Sequence, residues 1–124
     1  MNPWLAVALG GALGSMARYG SVRALTPLGA WLPYGTLAVN VLGSFVAGLL
    51  YVVLTERTAA GEPWRALVMV GFLGGFTTFS AFSLETLRLV ETGALLPALW
   101  NVLLTVLVCL GACAAGLWLG RHLG

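Results

Sequence analysis

The run Gly71-Phe-Leu-Gly-Gly-Phe-Thr-Thr-Phe-Ser-Ala-Phe82 holds the residue types best able to do chemistry in this chain. Adjacent glycines weaken a helical ladder, and adjacent threonines offer hydroxyls where backbone groups go unpaired. Phe76, Phe79 and Phe82 recur at spacing three. The run lies inside a long apolar stretch, where broken backbone persists only if it is buried in protein or lines a polar cavity. In transporters such breaks mark ion and substrate sites. The segment therefore predicts an ion path rather than a plain anchor.

Other hydrogen-bonding side chains recur at helical spacing. One set is Thr36, Asn40 and Ser44; another is Thr77 or Thr78, Ser80, Ser83 and Glu85; a third is Asn101, Thr105 and Cys109. Residues four apart share a helix face, so each set predicts a polar stripe turned inward. One stripe is well explained as glue between membrane helices. Three in so short a chain predict a hydrated pathway. Hydroxyls and amides donate hydrogen bonds, which an anion requires. No acidic residue stands near the middle of an apolar stretch, whereas proton-coupled cation export calls for a deep carboxylate. The stripes therefore suit an anion or a neutral solute. Phe79 and Phe82 are ordinary packing or lipid-facing residues on composition alone, although the positive edge of an aromatic ring attracts an anion.

These residues need elements to position them. The chain has 124 residues, 60% hydrophobic and 8% charged, with no lysine; mean hydropathy is +0.97. That composition describes an all-α integral membrane protein without room for a soluble domain. Charge and turn residues divide it into four expected spans, about 3–25, 34–55, 64–90 and 96–119, forming one membrane domain over 1–124. Each is near the roughly 20 residues that cross a bilayer core. The first stretch lacks a basic leader and a small-residue cleavage site, so it reads as a membrane helix rather than a removable signal. Cys109 and Cys113, four apart on one helix, are poorly placed for a mutual disulfide. A net charge of +2 is too small to suggest a nucleic-acid surface.

Four spans put both termini on one side of the membrane. Arg57, Arg65 and Arg121 fall on that side, and Arg18, Arg23 and Arg88 on the other. Arginine asymmetry orients membrane proteins, and three against three supplies almost none. The count predicts insertion in both orientations and pairing of opposed copies as an antiparallel homodimer. Arg18 lies well inside the first span, and removing it from the loop count is the alternative. Gly10 and Gly14, Gly71 and Gly75, and Gly116 and Gly120 are each spaced for close helix approach.

Three segments together resemble the Fluc (CrcB) fluoride channels. They are Gly10-Gly11-Ala12-Leu13-Gly14-Ser15-Met16-Ala17-Arg18-Tyr19, Gly35-Thr36-Leu37-Ala38-Val39-Asn40-Val41-Leu42-Gly43-Ser44-Phe45, and Gly71 through Phe82. Their order and spacing agree, and they cover three of the four spans. The resemblance implies a dual-topology antiparallel homodimer with two fluoride pores in a prokaryotic inner membrane, passively exporting fluoride and conferring resistance to it. It implies a structural sodium ion at the dimer centre, held by backbone carbonyls at Gly74 and Thr77. It assigns Phe79 and Phe82 the ring edges that face fluoride. Asn40, Ser80 and Thr105 become hydrogen-bond donors along the path, and Glu85 a carboxylate near one mouth. Arg18 matches an arginine at the end of the first helix, either an interfacial anchor or an attractor of anions. Ala81 stands where the family has a serine or threonine, and Asn101 where it often has a tyrosine.

Two other classes fit less well. A small multidrug-resistance-type transporter requires a carboxylate deep in the first helix, and no acid precedes Glu56. A structural membrane subunit explains the glycine spacing but not three polar stripes. An enzyme is excluded because Ser80, His122 and the glutamates offer no nucleophile–base arrangement.

Overall fold

A computed structural model of the chain describes residues 1–123, and its regular elements there are all helical. Helix α1 spans Pro3–Leu25. Pro3 at its first position loses no needed donor, and the Asn2 side chain accepts the Trp4 N–H at 2.7 Å. Helix α2 starts at Tyr34 after Pro33 and runs to Tyr51, then widens into a π-helical turn over Val52–Arg57. Helix α3 begins with Glu62–Arg65, takes π-helical geometry over Ala66–Leu73 and closes with the α-turn Gly74–Phe76. Helix α4 covers Phe79–Glu91, and α5 covers Leu95–His122.

Three stretches are long and apolar enough to cross a membrane: Tyr34–Arg57, Glu62–Glu91 and Leu95–His122. The chain is thus an integral, multi-pass membrane protein. Helix α1 falls below that hydropathy because glycines and Arg18 interrupt its apolar residues, although its 23 residues match the others in length. The observed bounds lie within a few residues of the expected ones. The largest shift is at the end of α5, which continues three residues past 119 to His122.

Two glycine-mediated seams hold the helices together. Helix α1 packs on the π-helical part of α3, and a Cβ at Gly14 would land on the Phe72 carbonyl. Helix α2 packs on α5, where a Cβ at Gly116 would meet the Phe45 carbonyl. Backbones this close gain dispersion contacts that larger side chains would forbid. At one end Arg121 closes the second seam with an ion pair to Glu56 at 3.0 Å. Most of the remaining surface is apolar and exposed, as a lipid-facing surface is.

Candidate functional site

Between α3 and α4 the chain leaves helical geometry. Thr77 has φ −90° and ψ 159°, and Thr78 has φ −153° and ψ 123°. The sequence explains where the bonds go. The Thr77 N–H and hydroxyl both donate back to the Leu73 carbonyl, at 3.0 and 2.9 Å. The Thr78 hydroxyl caps α4 by accepting the Ala81 N–H at 3.1 Å. The Thr78 backbone is then taken up by Asn40 of α2, whose Nδ2 donates to the Thr78 carbonyl at 2.9 Å. Asn40 Oδ1 in turn accepts the Thr78 N–H at 2.8 Å. One side chain thus replaces two bonds that a continuous helix would have made.

The interruption leaves backbone groups facing out from both helix ends. Arg18 Nε donates to the Gly75 carbonyl at 2.9 Å. Among the described residues no donor reaches the carbonyls of Gly74 or Thr77. The first-turn N–H groups of Phe79 and Ser80 likewise have no acceptor among the described residues. A helix N-terminus with free N–H groups carries partial positive charge.

A groove of about 350 Å³ opens beside the break. Asn40, Ser44, Thr78, Phe79, Phe82 and Thr105 contribute to its wall, with Thr77 and Cys109. The two rings stand 5.3 Å apart at 55°. They differ in setting: Phe82 is 7% exposed, while Phe79 is 75% exposed. Thr105 is buried from α5. Donors and aromatic rings therefore meet in one place, a combination suited to a small, strongly hydrogen-bonding anion.

The other sequence candidates lie elsewhere. Ser80 is exposed and outside the groove, its hydroxyl 3.3 Å from Thr78 Oγ1. Glu85 lines a second cavity of about 580 Å³ near the loop before α2, together with Thr36 and Arg88. The Thr36 hydroxyl donates to Glu85 at 2.7 Å. The α2 stripe thus runs from one cavity to the other: Thr36 at Glu85, Asn40 at the break, Ser44 in the groove. Gly74 lies on an open face, where a built Cβ meets nothing within 4 Å. The stripe expected on the last span does not hold together as one pathway. Asn101 is 1% exposed and donates to Thr86 of α4 at 2.8 Å. Thr86 in turn donates to the Phe82 carbonyl at 2.7 Å. Asn101 therefore braces α4 from behind while Thr105 faces the groove.

Helical spacing leaves Thr78 as an alternative to Thr77 and does not single out Thr86. The sequence did carry a signal for the first, a threonine three residues before Ala81 at the start of an apolar periodic run. For Thr86 there was none, because its partner is 15 residues away on another helix.

The CrcB-like protein family, described as camphor resistance (CrcB), matches residues 5–117. A protein of Methylococcus capsulatus is 52% identical over 119 residues, covering 95% of this chain and 52% of the relative. One from Magnetococcus marinus is 52% identical over 116 residues, covering 93% of this chain and 94% of its own. One from Saccharophagus degradans is 46% identical over 120 residues, covering 97% and 90%. Each bears the name fluoride-specific ion channel FluC. The chain spans about half the length of the Methylococcus relative and nearly all of the other two. With matches of that extent, the chain belongs to the CrcB-like family.

Proposed function

We infer that this chain is the subunit of a passive fluoride-selective ion channel in a prokaryotic inner membrane, not an enzyme. The observation that carries this is that relatives identical at 46–52% over more than nine-tenths of the chain are named fluoride-specific ion channels. The chemistry of the groove agrees with it. Fluoride surrenders its hydration shell only to donors that replace the water, and the break gathers such donors on a rigid backbone.

The path we propose runs through the groove. Asn40 keeps one amide N–H beyond the one spent on Thr78, and that N–H donates to the dehydrated ion. The edges of Phe79 and Phe82 face it, and the Thr105 hydroxyl donates from α5. Ser80, hydrogen-bonded to Thr78, extends the hydroxyl line beyond the groove. Glu85, held by Thr36, stands near one mouth, its cavity rimmed by Arg88. The membrane potential drives anion exit with about 2.3 kcal/mol per 100 mV, so no coupled energy source is required.

Two features support an antiparallel homodimer of four-span subunits. The groove carries Asn40, Ser44 and Thr105 yet opens on the side of the chain, and polar groups left against lipid are costly. A second copy covers them. The arginines also remain close to balance. Arg18 spends its guanidinium on the break, leaving Arg57, Arg65 and Arg121 at one end against Arg23 and Arg88 at the other. An even number of spans counts α1, which has the length but not the hydropathy of the others.

The break also suits the structural sodium ion implied by family resemblance. Gly74 and Thr77 carry carbonyls without donors among the described residues, and uncharged carbonyl oxygens are the ligands a hard alkali cation takes. Bound between two subunits, the ion would add positive charge near the anion path. Within this chain, the bond from the Thr78 N–H to Asn40 Oδ1 fixes the peptide from which the Thr77 carbonyl projects.

The deciding experiment is anion efflux from liposomes holding the purified protein, read with a fluoride electrode and with chloride as control. Rapid fluoride loss with chloride retained is the expected result. Intact dimers that release no fluoride would overturn the function.

A further inference from the structure

We propose that Arg18 is the positioning residue of the break. By capturing the Gly75 carbonyl on the α1 side, it sets the turn Gly74–Phe76 so that the carbonyls of Gly74 and Thr77 are left for a cation on the open side. The inference rests on the sodium site proposed above and gives it a determinant on α1.

The geometry supplies the reasons. Arg18 and Gly75 are 57 residues apart, yet Nε donates to the carbonyl at 2.9 Å in a part-buried setting. Arg18 forms no ion pair among the described residues; the one recorded there joins Arg121 to Glu56. An arginine at the depth of a helix break, with no acid to neutralise it, is held by what its guanidinium bonds. The neighbouring glycines face different surroundings. A Cβ at Gly75 would lie 2.8 Å from the Gly11 carbonyl and 3.0 Å from Ser15 Oγ, against α1. At Gly74 it would meet nothing within 4 Å. Successive residues of a helical turn are rotated by about 100°, so fixing Gly75 against α1 turns Gly74 to the open face. Without that bond the Gly75 carbonyl joins Gly74 and Thr77 as an orphan, and the three compete for the same cation and for water.

The selective signature is cation affinity, not folding alone. A ligand that binds only the native state stabilises it by RT ln(1 + L/Kd) at free concentration L, so the melting temperature climbs with concentration once the ligand exceeds its Kd. The measurement is the melting temperature of the full-length detergent-solubilised protein in sodium against choline, for wild type, Arg18→Gln and Arg18→Lys. Arg18→Gln removes the charge and shortens the reach; Arg18→Lys keeps a charged donor without the planar fork. We expect the sodium concentration at which the melting temperature begins to climb to rise at least about tenfold in Arg18→Gln and less in Arg18→Lys. The fluoride-to-chloride efflux ratio is measured in parallel. An Arg18→Gln protein with wild-type sodium dependence would overturn the proposal while leaving the sodium site standing. A wild type that does not respond to sodium would remove the sodium site itself, and the proposal with it. If neither variant assembles even in saturating sodium, Arg18 is a folding residue and positioning is overturned.

Discussion

Asn40 and Thr78, 38 residues apart, exchange two hydrogen bonds of 2.9 and 2.8 Å, so one amide side chain stands in for the helix that the break removes. The amide must donate and accept at once, which few side chains can do. Asn40→Asp keeps the shape and loses the donor, setting a carboxylate against the Thr78 carbonyl and a negative charge on the anion path. Fluoride efflux should fall by roughly 100-fold, the equivalent of about 2.7 kcal/mol. Efflux from liposomes at matched protein density checks this; a variant within a factor of two of wild type would disprove the clamp.

Phe79 and Phe82 sit side by side but make different predictions. Phe82 is buried, with its carbonyl bonded by Thr86, whereas Phe79 is mostly uncovered in the single chain. Phe82→Ala should lower both thermal stability and efflux, with a stability loss of about 2 kcal/mol or more as packing is emptied. Phe79→Ala should lower the melting temperature less than Phe82→Ala while reducing efflux. Pairing calorimetry with efflux separates the two, and equal stability losses would contradict the assignment.

The sequence was legible where its signals are local. Apolar runs between charges gave four helical segments to within a few residues, and the Gly-Gly-Phe-Thr-Thr order located the interruption. Stripe spacing correctly joined Thr36, Asn40 and Ser44 on one face, because they lie on one uninterrupted helix. It was less informative for Asn101 and Thr105. Both belong to α5, but α4 crosses only one of them, and that crossing depends on where Gly93, at φ +81°, turns the chain. Arg18 was equally opaque. Nothing local ties an arginine on α1 to a glycine carbonyl on α3, and only the glycine seam between those helices brings them within reach.

The Asn101–Thr86 bond offers a test of the brace behind the groove. Asn101 is fully buried and Thr86 passes the contact on to the Phe82 carbonyl. Asn101→Leu and Thr86→Val should each destabilise, and the double variant should lose less than their sum. Hydrogen bonds between membrane helices couple by about 0.6 kcal/mol on average and reach about 1.7. A double-mutant cycle on unfolding free energy reads the coupling, and strict additivity would mean that the bond contributes nothing.

Gly14 and Gly20 stand on the same helix and predict opposite outcomes for the same substitution. A Cβ at Gly14 would enter the space of the Phe72 carbonyl, which is backbone and cannot swing aside. A Cβ at Gly20 meets nothing within 4 Å. Gly14→Ala must therefore push α1 off α3, lengthening the Arg18–Gly75 bond as well as losing contacts, and should cost about 2 kcal/mol or more. Gly20→Ala faces no such barrier and gains helix propensity of up to about 1 kcal/mol. Thermal unfolding of both variants in the same detergent decides the matter. If Gly14→Ala is as stable as Gly20→Ala, the seam between α1 and α3 is looser than described, and with it the support for the break.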